Sequence, residues 1–84
     1  MKPLVTMYST GSCPYCEKAR QLLQKKQIAF TEIRVDNHPE KRLEMQEKSR
    51  RHTVPQIFIG DQHIGGCDDL HALEAAGQLD PYFQ

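Results

Sequence analysis

A chain of 84 residues leaves room for one domain, residues 1–84, since folds of this size bury only about 60 to 65% of their unfolded surface. Its 11 basic and 11 acidic residues cancel, so composition argues for neither nucleic acid nor an anionic membrane as partner. No stretch of about 18 apolar residues occurs, and Met1 to Tyr8 lacks the apolar core and cleavage site of a secretory signal, which predicts a soluble, unexported, cytoplasmic protein.

Leu4 to Tyr8 is apolar and β-branched enough for a buried strand, and Ser9-Thr10-Gly11-Ser12 follows as a loop. Helical spacing of Cys16, Ala19, Leu22 and Leu23 predicts a helix from Pro14 to about Lys26. Ala29 to Val35 alternates with period two, with Phe30 and Glu32 on one face and Thr31, Ile33 and Val35 on the other. Asp36-Asn37-His38-Pro39 turns into a charged helix over Glu40 to Arg50, in which Leu43 is the clearest apolar residue and Glu44 and Lys48 stand at ion-pair spacing. Gln56 to Ile59 and Gln62 to Ile64 flank Gly60-Asp61 as a tight hairpin. After Gly65-Gly66, a last helix from Cys67 or Asp68 carries Leu70, Leu73 and Ala76 and stops at Gly77. The order β-α-β-α-β-β-α is an α/β pattern with a mixed sheet, parallel across the first crossover and antiparallel at the hairpin.

Three short motifs carry the chemistry. In Cys13-Pro14-Tyr15-Cys16 the first thiol lies at a helix start, where unpaired amides and the positive end of the dipole favour thiolate. Cys13 is therefore the expected nucleophile and Cys16, three residues on along the same face, the resolving thiol. Half of a zinc site is the competing reading of a bare C-x-x-C; against it, the only other donors are Cys67 and scattered histidines. Three cysteines suit a reactive pair plus one further thiol better than a disulfide scaffold. Pro55 in Thr53-Val54-Pro55 marks a strand start or turn, with a cis bond open. Gly65-Gly66-Cys67-Asp68-Asp69 fits either a capped loop or a site whose amides hold a carboxylate beside an acidic side chain, as an α-amino-acid end requires. Cys67 itself reads as a small buried helix-start residue or as an exposed third thiol.

Together these motifs, in order and at this spacing, closely resemble glutaredoxins of the small bacterial dithiol type from Val5 through Leu79. The resemblance implies the thioredoxin fold, four mixed strands flanked by three helices, with Pro55 in cis facing the cysteines. It also implies a glutathione-dependent reduction of protein disulfides and glutathionylated proteins, ribonucleotide reductase being a candidate substrate. Glutathione is then a co-substrate, with no permanently bound cofactor or metal, and a monomer is expected. By the same resemblance Val54 pairs its backbone with the cysteinyl part of glutathione, the γ-glutamyl end lies at Cys67, Asp68 and Asp69, and Tyr15 and Arg42 flank the glycine carboxylate. Thr53, Pro55 and Gly66 belong to the same implied site. Thr10 departs from the pattern, since many relatives carry lysine three residues before the nucleophile. Two other functions compete: a thioredoxin-like carrier served by a flavoprotein reductase, and an iron–sulfur carrier using Cys13 and glutathione as ligands.

Overall fold

The computed structural model describes residues 3–84; Met1 and Lys2, part of the segment read for a secretory signal, lie outside them. Its elements are β1 (Val5–Ser9), α1 (Pro14–Lys25), β2 (Thr31–Arg34), α2 (Pro39–Ser49), β3 (Gln56–Ile59), β4 (Gln62–Gly65) and α3 (Cys67–Ala75), followed by a 3-10 turn at Asp80–Phe83. The sheet order is β2-β1-β3-β4, with β1 parallel to β2 and antiparallel to β3, and β3 antiparallel to β4.

Strand alternation divides the core between two faces. Val5 and Met7 of β1 with Ile57 and Ile59 of β3 pack on Ala19 and Leu23 of α1 and Cys67 and Leu70 of α3. Tyr8 and Phe58, pointing the other way, pack with Val35 and with Met45 of α2. Helices thus cover both sides, α1 and α3 on one and α2 on the other, and the two central strands are buried where the edge strands are not.

Three expectations shift. The second strand is shorter than Ala29 to Val35, because pairing with β1 begins at Thr6↔Thr31; Phe30 packs beneath the sheet instead, and Val35 still donates its N–H to the Ser9 carbonyl at 2.8 Å. On α2 the residue that enters the core is Met45, with Ser49 one turn later, whereas Leu43 is 55% exposed. Two positions separate Leu43 from Met45, about 200° around the helix. Glu44, matched by spacing to Lys48, instead accepts the Tyr8 hydroxyl at 2.6 Å and lies 3.6 Å from Lys41. Burial and the bond to Glu44 push the Tyr8 phenol well above its ordinary range. Gly60 and Gly77 both take the positive φ that the hairpin and the helix stop require, +60° and +71°.

Candidate functional site

The cysteine pair joins the end of β1 to the start of α1. Cys13 is the N-cap of α1 in extended backbone, and its Sγ accepts the Cys16 N–H at 3.0 Å. That amide is one of the helix-start donors that stabilise negative charge on sulfur. Pro14 fills the first helical position, where its fixed φ fits and its lack of an N–H costs nothing. The two sulfurs form a disulfide across a Cα–Cα distance of 5.1 Å, inside the usual span for such a bridge. Their environments differ sharply. Cys13 is half-buried at the surface, whereas Cys16 is 0% exposed. Of the two, Cys13 is the sulfur an incoming disulfide can reach, and Cys16 is placed to act on the Cys13 sulfur once that has entered a mixed disulfide.

The loop ahead of Cys13 is anchored from β2. Asp36 accepts the Gly11 N–H at 3.2 Å and holds Arg34 through bonds of 2.8 and 2.6 Å. Arg34 first and the Gly11 amide after it keep the Asp36 carboxyl far below the usual carboxylate range. Thr10 stands half-buried between this loop and β1.

Beside the cysteines lies a groove of about 200 Å³ lined by Tyr15, Arg51, Thr53, Val54, Pro55, Gly66, Cys67, Asp68 and Asp69. The three motifs, dispersed along the chain, meet here. The Val54-Pro55 peptide bond is cis, and the Val54 carbonyl oxygen is 3.9 Å from Cys13 Sγ. Among the described residues neither the N–H nor the carbonyl of Val54 has a backbone partner. Opposite, Asp69 Oδ2 accepts the Gly66 N–H at 2.9 Å and meets Arg51 Nη1 at 3.0 Å. The Gly66 amide, and after it Arg51, lower the Asp69 carboxyl pKa, so the groove keeps an anion on its α3 side. The first amides of α3 have no carbonyl one turn back and face a potential anion. Tyr15 is 57% exposed, its ring carrying the Lys18 ammonium 5.5 Å from the centroid.

Cys67 is the buried helix-start residue of its two readings, 6% exposed within the α1–α3 core. Burial, with a smaller contribution from Asp68, raises its thiol pKa and leaves it a poor nucleophile. Arg42, half-buried on α2, is not among the residues lining the groove. Arg51 lines it and was not anticipated; its sequence signal was a cation two residues ahead of Thr53-Val54-Pro55. A larger hollow of about 440 Å³, lined by Leu4, Ile28, Phe30 and Phe83 among others, opens beyond the far end of α1 and contains no cysteine. Among the described residues no cluster of three or more His, Cys, Asp or Glu is arranged to hold a metal, and no helix is long and apolar enough to cross a membrane.

The chain is similar to known proteins in sequence and in fold. The glutaredoxin family model matches residues 5–64. A glutaredoxin of Pseudomonas aeruginosa is 58% identical over 78 residues, covering 93% of each chain. Glutaredoxin 3 of Escherichia coli K12 is 54% identical over 77 residues, 92% of this chain and 93% of the relative. The solution structure of glutaredoxin from Brucella melitensis superposes with a TM-score of 0.86 at 51% identity, covering 98% of this chain and 89% of the other. The crystal structure of a buckwheat glutaredoxin–glutathione complex superposes with a TM-score of 0.88 at 26% identity, covering 96% and 76%. The fold is thioredoxin-like, and with an accessible Cys13 backed by a buried Cys16 the chain belongs to the glutaredoxin family, as a thiol–disulfide oxidoreductase.

Proposed function

We propose that the protein reduces protein disulfides and protein–glutathione mixed disulfides with glutathione as its reductant, the groove beside Cys13 being the glutathione site. The observation that carries this reading is Val54. Its N–H and carbonyl, without backbone partners among the described residues and held by Pro55 next to Cys13, suit the addition of a short extended peptide whose own cysteine sulfur then falls at the nucleophile. Asp68 and Asp69, with the α3 amides between them and Gly66, match the ammonium and carboxylate of a γ-glutamyl end. Tyr15, Thr53 and Arg51 flank the remainder, and Arg42 is assigned to the glycine carboxylate only through the family pattern. The glutathione complex of the buckwheat relative supports the same ligand.

In this mechanism Cys13 thiolate attacks the sulfur of glutathione itself in a protein–glutathione mixed disulfide, the protein thiolate leaves, and Cys13 is left joined to glutathione. A second glutathione thiolate then attacks the glutathione sulfur of that bridge, releasing oxidised glutathione and restoring Cys13 thiolate. On a protein disulfide, Cys13 forms a mixed disulfide with one sulfur, Cys16 thiolate attacks Cys13, and the substrate departs with both thiols reduced. Two glutathiones, oxidised to their disulfide, then reopen the Cys13–Cys16 bridge.

Cys13→Ser is expected to abolish both routes, while Cys16→Ser loses dithiol reduction and keeps deglutathionylation. Full activity of Cys13→Ser would overturn the assignment. So would sustained turnover by a flavoprotein thiol reductase without glutathione.

A further inference from the structure

Gln56, at the start of β3, is a polar side chain with 0% exposure in the middle of an apolar sheet. Burying an amide there is unfavourable unless every polar atom has a partner. Its Nε2 donates to the Thr53 carbonyl at 3.0 Å and to Thr53 Oγ1 at 3.2 Å, and its Oε1 lies 2.7 Å from His63 Nε2. The Thr53 carbonyl can only accept, so it forces the NH₂ end of the amide toward itself. Oε1 must then face His63, and because an amide oxygen also only accepts, the imidazole must carry a hydrogen on Nε2. The Phe58 ring, 5.0 Å from that of His63, fixes the imidazole plane. At the other end Thr53 Oγ1 is already an acceptor, which leaves its own hydrogen to point away from Gln56. Thr53 is exposed and lines the groove.

We propose that Gln56 is a positioning residue that fixes the Thr53 hydroxyl as a hydrogen-bond donor into the groove, selecting a carboxylate or carbonyl oxygen at that point of the ligand, and that the His63 tautomer reports the amide orientation. This rests on the groove being the glutathione site. Neither Gln56 nor His63 touches the ligand; Gln56 acts through the polarity it imposes on the Thr53 hydroxyl, and His63 follows the amide. Strand geometry brings them together, since Phe58 pairs with His63 across the hairpin and a register shift falls between Ile57 and Phe58.

The test is a double-mutant cycle read on KM for glutathione and for a small glutathione mixed disulfide, with kcat followed separately. Thr53→Val removes the hydroxyl at constant shape and is expected to raise KM about 3- to 10-fold with kcat little changed, the effect of one lost hydrogen bond. Gln56→Met frees the hydroxyl to turn inward and is expected to raise KM about 2- to 5-fold. The double variant should be no worse than Thr53→Val alone. Nitrogen-15 NMR should find His63 as the Nε2–H tautomer in the wild type and a mixture in Gln56→Met. If Gln56→Met does not fold, the wild-type tautomer decides, because a hydrogen on His63 Nδ1 alone would turn Oε1, not Nε2, toward Thr53. Additive effects, an unchanged KM in the Gln56 variant beside a raised KM in Thr53→Val, or an Nδ1–H tautomer in the wild type would overturn the inference. An unchanged KM in Thr53→Val itself would instead remove the glutathione reading of this part of the groove.

Discussion

Gly65→Ala perturbs the scaffold of the groove at a point where the cost can be worked out. Gly65 ends β4 at φ +122°, a region that favours glycine, and a Cβ there would overlap the Asp69 carboxylate oxygen and stand 2.6 Å from its Cγ and 2.8 Å from its Cβ. Turning Asp69 about χ1 clears the carboxylate but not its Cβ, so the start of α3 has to move and the bond from the Gly66 N–H is lost. Backbone strain costs about 1–3 kcal/mol and the lost helix-start bond about 0.5–2 kcal/mol, so about 1.5–5 kcal/mol is expected in all. Gly60→Ala is the matched control. It shares a positive φ, +60°, but its Cβ would have nothing within 4 Å, so strain alone, about 1–2 kcal/mol, applies. Urea denaturation of both variants should put Gly65→Ala below Gly60→Ala by about 1–2 kcal/mol, or about 4–15 °C in a thermal melt of a domain this size. Gly65→Ala should also weaken the glutathione binding proposed for this groove, since Asp69 leaves its place. Equal losses in the two variants would refute the claim that contact between residue 65 and Asp69 holds the α3 side of the groove.

Tyr8→Phe should cost about 1 kcal/mol, because Glu44 loses its hydroxyl donor. The Tyr8 bond is the first cause of the lowered Glu44 pKa, so an NMR titration of Glu44 should move back toward ordinary values. Glu32, held low first by Arg20, and Asp69, held low first by the Gly66 amide, lend stability that is fully present above their unfolded pKa near about 4. That stability should drain away as pH falls through the folded values, and Arg20→Gln should flatten the acid limb of an unfolding curve. Cys67 should resist iodoacetamide in the folded, reduced protein at pH 8 while Cys13 is alkylated, as peptide mass spectrometry would establish; rapid labelling of Cys67 would contradict its burial.

The site was largely legible because its motifs are local. A thiol at an N-cap, a proline at the first helical position and glycines ahead of a helix start each impose their chemistry within a few residues, so Cys13, Val54-Pro55 and Gly66-Cys67-Asp68-Asp69 could be singled out before any contact was known. Where partners were separated in sequence, reading failed. Glu44 finds Tyr8 36 residues away instead of Lys48, and Arg51 finds Asp69 18 residues on. Leu43 outranks Met45 in hydropathy yet faces solvent, because the docking angle of α2, not its composition, selects the face that enters the core.

By itself the sequence determined the order of strands and helices and which two thiols share a helix start, since periodicity and helix-end electrostatics act over a turn or two of chain. Only the tertiary structure decided that Cys13 is reachable and Cys16 is not, and that Gln56 and His63 stand behind Thr53. Exposure and side-chain partnership are set by how strands and helices close over one another, and that closure places side by side residues which the linear chain keeps apart.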